Sequence, residues 1–189
     1  AALLVFESWD PDAIVLEVGL GGRLDAVNIV DADVAIVVSV ALDHMEWLGP
    51  DLESIGREKA GIFRRARPAV CGMAEPPKAL SDVAEQVGAL LLLRGRDFDA
   101  VGHADGRWDF RDAHGELTRL PAPALEGVAQ TGNAATALAA LRQLDDRLPL
   151  DRAAIESGLA KVRLPGRFQR VSGAGGIEWV LDVAHNPAA

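Results

Sequence analysis

The sequence predicts an α/β fold built on a mostly parallel sheet, and three observations carry that expectation. Two apolar runs, Ala13-Ile14-Val15-Leu16-Glu17-Val18 and Ala32 to Val40, lack polar–apolar alternation. Such runs read as strands buried on both faces, the mark of a parallel sheet. Strand-like and helix-like segments then alternate along the chain. In the middle the pattern changes to a hairpin, which predicts a small antiparallel appendage.

The elements follow in order. Ala1 to Phe6 reads as the end of a helix, and the two apolar runs come next. Asp51 to Phe63 reads as a helix, with Pro50 just before it and Gly61 near its end. Pro68 to Cys71 is a short strand, Pro77 to Val87 a helix and Ala89 to Leu93 a strand. Trp108-Asp109-Phe110-Arg111 and Leu117-Thr118-Arg119-Leu120 flank Asp112-Ala113-His114-Gly115, a hairpin with a turn of about four residues. It sits inside an appendage covering about residues 97–121. Asn133 to Arg147 is an apolar, Ala-rich helix, and Asp151 to Val162 is another with Asp151 as its N-cap. Leu164-Pro165-Gly166 breaks the pattern as a linker, and Ile177 to Val183 begins a new strand. The expected division is therefore a domain over 1–163, then a linker and the first strand of a second α/β domain over 164–189. The chain has no initiator Met and stops just after a strand-like run, so it is expected to be cut from a longer enzyme.

Composition narrows the function. With 189 residues, 49% hydrophobic and 25% charged, the balance is that of a soluble globular protein. The formal net charge of −9 argues against a nucleic-acid partner and against an anionic membrane surface. Anionic small ligands stay open, because a few local cations can hold them. A single cysteine, Cys71, leaves no internal disulfide framework and no Cys-based zinc cluster. No apolar run reaches the roughly 18–20 residues of a membrane span, and no signal peptide precedes the fold, so a cytoplasmic chain is expected.

Several residues are out of place. Glu17 lies near the end of an expected buried strand, where a carboxylate needs a partner or a metal. It either pairs with Arg23 or marks a site, since ligands of open parallel sheets bind beyond the C-terminal strand ends. Gly19-Leu20-Gly21-Gly22-Arg23-Leu24-Asp25 follows directly; its glycines allow close backbone approach. Leu42-Asp43-His44 is expected at the same edge, so Glu17 and His44 could form a divalent-metal pair; alternatively His44 is a hydrogen-bonded loop residue. Leu52, Ile55, Lys59 and Ile62 share one helical stripe, in which Lys59 either snorkels or turns its amine into the site. Asn133 opens the Ala-rich helix as a capping residue or as a ligand contact. Arg167 follows a Pro-Gly break and reads as a phosphate clamp or a solvated charge. Asp182 and His185 bracket the end of the last strand.

The motifs resemble those of a known family. Leu16 to Val30, Leu42-Asp43-His44-Met45-Glu46-Trp47-Leu48-Gly49 and Arg57-Glu58-Lys59-Ala60-Gly61-Ile62-Phe63 look like the signature of folylpolyglutamate synthases. Asn133-Ala134-Ala135, Leu164-Pro165-Gly166-Arg167-Phe168 and Asp182-Val183-Ala184-His185-Asn186-Pro187 come in the family's order. In detail the chain is most similar to the bacterial bifunctional dihydrofolate synthase/folylpolyglutamate synthases, members of the Mur-ligase superfamily. The match covers essentially the whole chain.

The resemblance implies a Mur-ligase-like central ATP-binding domain and an ATP-dependent amide ligase acting through an acyl phosphate. L-glutamate would be added to dihydropteroate, to tetrahydrofolate species, or to both. It implies ATP and magnesium as cofactors, no nucleic acid or membrane partner, and a monomer. Glu17 and His44 match the family's magnesium ligands. Lys59 matches a lysine carbamylated by carbon dioxide, which would place it with the metal and, like His44, in catalysis. Asn133, Arg167 and Asp182 match nucleotide-contacting positions, with His185 beside them. Leu24, Asp25 and Ala26 match the segment that touches the pterin. The family's Gly-rich phosphate loop is expected before residue 1, because no Gly-Lys-Ser/Thr occurs in the sequence. Most of the C-terminal domain is expected after Ala189, so this piece alone should not turn over. Two other readings compete: a Mur-type ligase of peptidoglycan precursors, and a non-catalytic nucleotide- or folate-binding module.

Overall fold

The computed structural model describes residues 2–184. Its centre is a parallel sheet of β1 (Ala35–Val37), β2 (Pro68–Cys71) and β3 (Leu90–Leu93), in that order. Ala35 pairs with Ala69, and Ala69 with Leu91. Side chains alternate across the pleat. Ala35, Val37, Ala69 and Cys71 therefore enter one core with Ile55, Phe63, Leu80 and Val83. Val70 enters the opposite core with Phe98, Trp108, Phe110 and Leu138.

The first core is closed by α3 (Leu52–Ala60) and α4 (Lys78–Val87). Helix α3 starts at a capping box: Asp51 Oδ1 accepts from Ser54 N at 2.7 Å, and Asp51 N donates to Ser54 Oγ at 3.3 Å. Pro77 cannot cap α4 with a side chain. Glu53 of α3 supplies the cap, accepting from Lys78 N at 3.0 Å and Ala79 N at 2.7 Å. A carboxylate there also meets the positive end of the α4 dipole.

The second core lies between the sheet, α5 (Gln130–Arg142) and an antiparallel sheet of β4 (Phe98–Gly102), β5 (Trp108–Asp112) and β6 (Gly115–Leu120). Small residues on α5, among them Gly132, Ala135, Ala139 and Ala140, are buried and let the helix approach closely. Trp108 is buried with its Nε1 donating to Pro121 O at 2.8 Å, so the indole is satisfied. Helix α6 (Arg152–Lys161) adds Ile155, its N-terminus held by Asp151, which accepts from Ala154 N at 2.7 Å. A hairpin of β7 (Gln169–Ser172) and β8 (Glu178–Leu181) ends the described chain.

The fold class is as expected: a parallel sheet with a small antiparallel appendage. Several elements differ from expectation. Residues 13–18 form no strand and pair with nothing among the described residues; Val15 is 94% exposed. Apolar composition alone does not make a strand without a neighbour to complete its ladder. The run 32–40 is regular only over 35–37, and its edge residue Ile36 stays 42% exposed. The 108–120 hairpin turns through two residues rather than four, since Asp112 pairs directly with Gly115. The Ala-rich helix runs 130–142, starting three residues early, and β7 was not foreseen. The first helix, α1 (Ala2–Trp9), extends past Phe6. Among the described residues no helix is long and apolar enough to cross a membrane.

Phe110 is fully buried at the centre of the second core. Phe110→Ala should lower stability by about 3–5 kcal/mol through lost burial and the cavity left behind. Urea denaturation checks this, with a reduced midpoint expected.

Candidate functional site

The glycine loop after Glu17 is folded by one carboxylate. Asp25 Oδ2 accepts from Gly19 N at 3.0 Å and Leu20 N at 3.3 Å, while Oδ1 accepts from Val27 N at 2.9 Å. The last of these caps a short 3₁₀ turn, Ala26–Ile29. The Val27 N–H above all, aided by those of Leu20 and Gly19, holds the Asp25 carboxyl below the ordinary aspartate value. Asp25 is thus a structural hub of its loop. Leu24 beside it projects into solvent, and Ala26 is exposed.

The loop is docked on the C-terminal end of α3. Arg23 Nε reaches both Glu58 oxygens, at 3.0 and 3.2 Å, and Arg23 N donates to Glu58 O at 2.9 Å. A Cβ on Gly22 would lie 3.0 Å from the carbonyl oxygens of Glu58 and Lys59, and one on Gly61 would run into the Arg23 backbone, 2.7 Å from its Cα. The close approach that these glycines allow is to the helix. Asn28 Nδ2 ties Arg23 O to Gly61 O at 3.0 and 3.1 Å, and Arg64 holds Asn28 from outside at 2.7 and 2.9 Å while pairing with Asp31.

This arrangement corrects two expectations. Glu17 is exposed, not buried in a strand, and Arg23 pairs with Glu58 rather than with it. The carboxylate of Glu17 makes no hydrogen bond or ion pair among the described residues. Glu58, Asn28 and Arg64 were missed as loop-positioning residues. Their signal was weak, because each reaches a partner 33 to 36 residues away in sequence.

Lys59 is half-buried on α3, and no carboxylate lies within ion-pair distance of its amine among the described residues. Its stripe is only partly a core face: Ile55 is buried, Leu52 is exposed, and Ile62 falls beyond the last helical residue. His44 precedes α2 (Met45–Leu48) in a left-handed conformation, φ 50° and ψ 37°. That region suits few residues other than glycine, with Asn, Asp and His the common exceptions. Asp43 Oδ1 accepts from His44 N at 2.8 Å and lies 3.8 Å from His44 Nε2. β1 ends six residues before Asp43, so the strand does not deliver His44 directly.

Asn133 is not an N-cap. It sits in the first turn of α5, with Ala129 as the cap, and its amide donates to Gln130 Oε1 at 3.3 Å. Its side chain is exposed, and its neighbour Gly132 lies against Arg94, the residue that follows β3. The Arg167 charge lies near Asp182 at the linker corner. Asp182 accepts from Ala184 N at 2.7 Å and from Phe168 N at 2.7 Å, and these bonds, with the Arg167 charge beside it, lower its carboxyl from the ordinary value. His185 lies outside the described residues.

No group of three His, Cys, Asp or Glu side chains forms a ready metal cage among the described residues. The donors fit a hard divalent cation only in combination: a carboxylate on Glu17, an imidazole on His44, and a carbamate if Lys59 carries one, since a free ammonium cannot ligate. A cavity of about 450 Å³ opens elsewhere, between the antiparallel sheet and α5, beside Arg96, Arg111 and His114. It holds none of the predicted site residues.

No family model matches the chain. The chain is 53% identical over all its 189 residues to the dihydrofolate synthase/folylpolyglutamate synthase of Escherichia coli, and covers 43% of that relative. Escherichia coli FolC in complex with DHPP and ADP has the same fold, with a TM-score of 0.90 at 54% identity over 99% of this chain and 43% of that one. Along its whole length the chain is thus similar to dihydrofolate synthase/folylpolyglutamate synthases. The folylpolyglutamate synthase of Lacticaseibacillus casei is 35% identical over 96% of this chain and 44% of the relative. A bifunctional folylpolyglutamate synthase/dihydrofolate synthase with Mn, AMPPNP and L-glutamate bound matches with a TM-score of 0.88 at 48% identity, over 99% of this chain and 43% of that one. The chain therefore spans less than half the length of the synthases it matches.

Asp25 gives the loop its pH dependence. A carboxyl held low in the folded loop contributes stability above its unfolded pKa and loses it as pH falls through the folded value. Amide exchange at Gly19, Leu20 and Val27 should therefore stay slow near neutrality and lose protection in acid. Asp25→Ala should remove that protection at pH 7 while leaving the β2 amides unchanged.

Proposed function

We propose that this chain is part of an ATP-dependent ligase that joins the amine of L-glutamate to the carboxylate of dihydropteroate, of reduced folates, or of both. The observation that carries this reading is the 53% identity along the whole chain to a dihydrofolate synthase/folylpolyglutamate synthase. The placement of Gly132, the residue before Asn133, against Arg94 at the end of β3, and of the Arg167 charge near Asp182, supports it.

In the proposed reaction the substrate carboxylate attacks the γ-phosphorus of ATP, and ADP leaves. The glutamate amine then attacks the acyl carbon, loses a proton, and phosphate departs. Asn133, Arg167, Asp182 and His185 bind the nucleotide in this reading, and Leu24, Asp25 and Ala26 face the pterin. Glu17, His44 and a carbamylated Lys59 would hold magnesium, which would supply charge neutralisation for the phosphates. Lys59 suits carbamylation because the residue is half-buried and, among the described residues, no carboxylate pairs with its amine. Carbamylation joins the neutral amine to carbon dioxide, releases one proton and leaves a carboxylate-like group. We also propose a domain boundary at 163/164, a cytoplasmic location and a monomer. The boundary fits the irregular stretch before β7 and the way β7 and β8 pair only with each other.

The protein expressed from its complete reading frame should release ADP from ATP only when magnesium, glutamate and dihydropteroate or a reduced folate are all present. Nucleotide binding without any such release would favour the non-catalytic module, and release driven by a UDP-sugar peptide would favour a peptidoglycan ligase. In the same protein Lys59→Ala should cut turnover by about 10²-fold or more, the scale of losing one electrostatic group in a transition state. Unchanged turnover removes the carbamate role. His44→Ala should raise the magnesium needed for half-maximal rate by about 10-fold or more.

A further inference from the structure

Asn133 can act on a ligand only if the first turn of α5 is held in place. Gly72, which follows β2, fixes one side of that turn. A Cβ there would lie 2.7 Å from Thr136 Oγ1 and 2.8 Å from Val38 O. The Thr136 hydroxyl in turn donates to Gly132 O at 2.8 Å. These contacts join the ends of β1 and β2 to the helix through backbone and a buried hydroxyl.

A third contact is of another kind. Arg94 directly follows β3, and its N–H donates to Cys71 O at 3.1 Å, which extends the β2–β3 ladder by one bond. Its side chain lies against Gly132. A Cβ on Gly132 would run into Nη1, with Cζ at 3.1 Å and Nη2 at 3.5 Å. Three atoms of one guanidinium surround the same point, so the planar group lies against the glycine face, one residue before Asn133. Helix stability does not explain this contact, because a cation at a helix N-terminus faces the positive end of the dipole. The only acid paired with Arg94 among the described residues is Asp99, at 3.5 Å from Nε.

We propose that Arg94 is a positioning residue for nucleotide binding: its guanidinium, wedged on Gly132, sets the first turn of α5 and through it the amide of Asn133. This rests on the reading of Asn133 as a nucleotide contact. Arg94 itself touches no substrate in this scheme. In this proposal the planar group matters more than the charge, because it is the guanidinium that lies against the glycine.

The test is steady-state kinetics of the protein from its complete reading frame, with ATP varied. Arg94→Ala should raise the KM for ATP about tenfold, equal to about 1.4 kcal/mol, with kcat within about twofold. Arg94→Lys keeps the charge without the plane and should resemble Arg94→Ala. Gly132→Ala removes no polar group and favours the helix intrinsically. It should nevertheless raise the KM, because its methyl displaces the guanidinium. Asn133→Ala should raise the KM by itself, and Arg94→Ala added to it should cost nothing more. The proposal is overturned if Arg94→Ala leaves the KM unchanged, if lysine restores it, or if the effects of Arg94→Ala and Asn133→Ala multiply. An Asn133→Ala variant with wild-type KM overturns the nucleotide assignment itself, and the role of Arg94 with it. An Asn133 effect without an Arg94 effect overturns the role of Arg94 alone.

Discussion

Val70 points into one core while Ala69 and Cys71, its neighbours on the same strand, point into the other. That alternation is the constraint on which the structure depends. With both faces of the sheet covered, by α3 and α4 on one side and by α5 with the antiparallel sheet on the other, the open surfaces of β2 are its ends. The turns leaving those ends carry Gly72, Arg94 and, across from them, the first turn of α5.

A second organising feature is the end of α3. Its last residues give backbone carbonyls to the glycine loop, Glu58 to Arg23, and Lys59 to the half-buried space beside it. Arg64 and Asn28 bind the loop from the outer side. The exposed Arg23–Glu58 pair contributes little energy by itself. Its value is geometric, because the same two residues also share a backbone hydrogen bond. A loop held at so many points keeps Leu24, Asp25 and Ala26 in a fixed relation to Lys59.

How much of this could be read from the sequence depended on how local the signal was. Asp51 and Asp151 were legible as helix starts because a cap is decided within three residues. Pro68–Cys71 and Leu90–Leu93 were legible as buried strands because their apolar runs are bounded on both sides. Residues 13–18 misled because the same composition, without a paired neighbour, forms no strand and stays largely exposed. Asn133 misled because α5 begins at Gln130, before the first residue of the apolar pattern. Glu58, Asn28 and Arg94 were invisible for a different reason: each acts through a residue more than 30 positions away, and no spacing rule links them. The site residues came from motif resemblance, and the structure adds what holds them: Asp25 by three backbone N–H groups, Asp182 by two.

The chain carries a net charge of −9, yet every substrate in the proposed reaction is anionic. Local arrangement must overcome the overall field. Glu17 and His44 are the residues that decide whether it does, because they would bring a divalent cation to the phosphates. The most direct measurement is the anomalous manganese signal in a crystal of the complete protein grown with manganese and a non-hydrolysable ATP analogue. A manganese ion bound to the Glu17 carboxylate and the His44 imidazole, with the nucleotide against Asn133, is the predicted result. A bound nucleotide whose metal lies away from both side chains would contradict it.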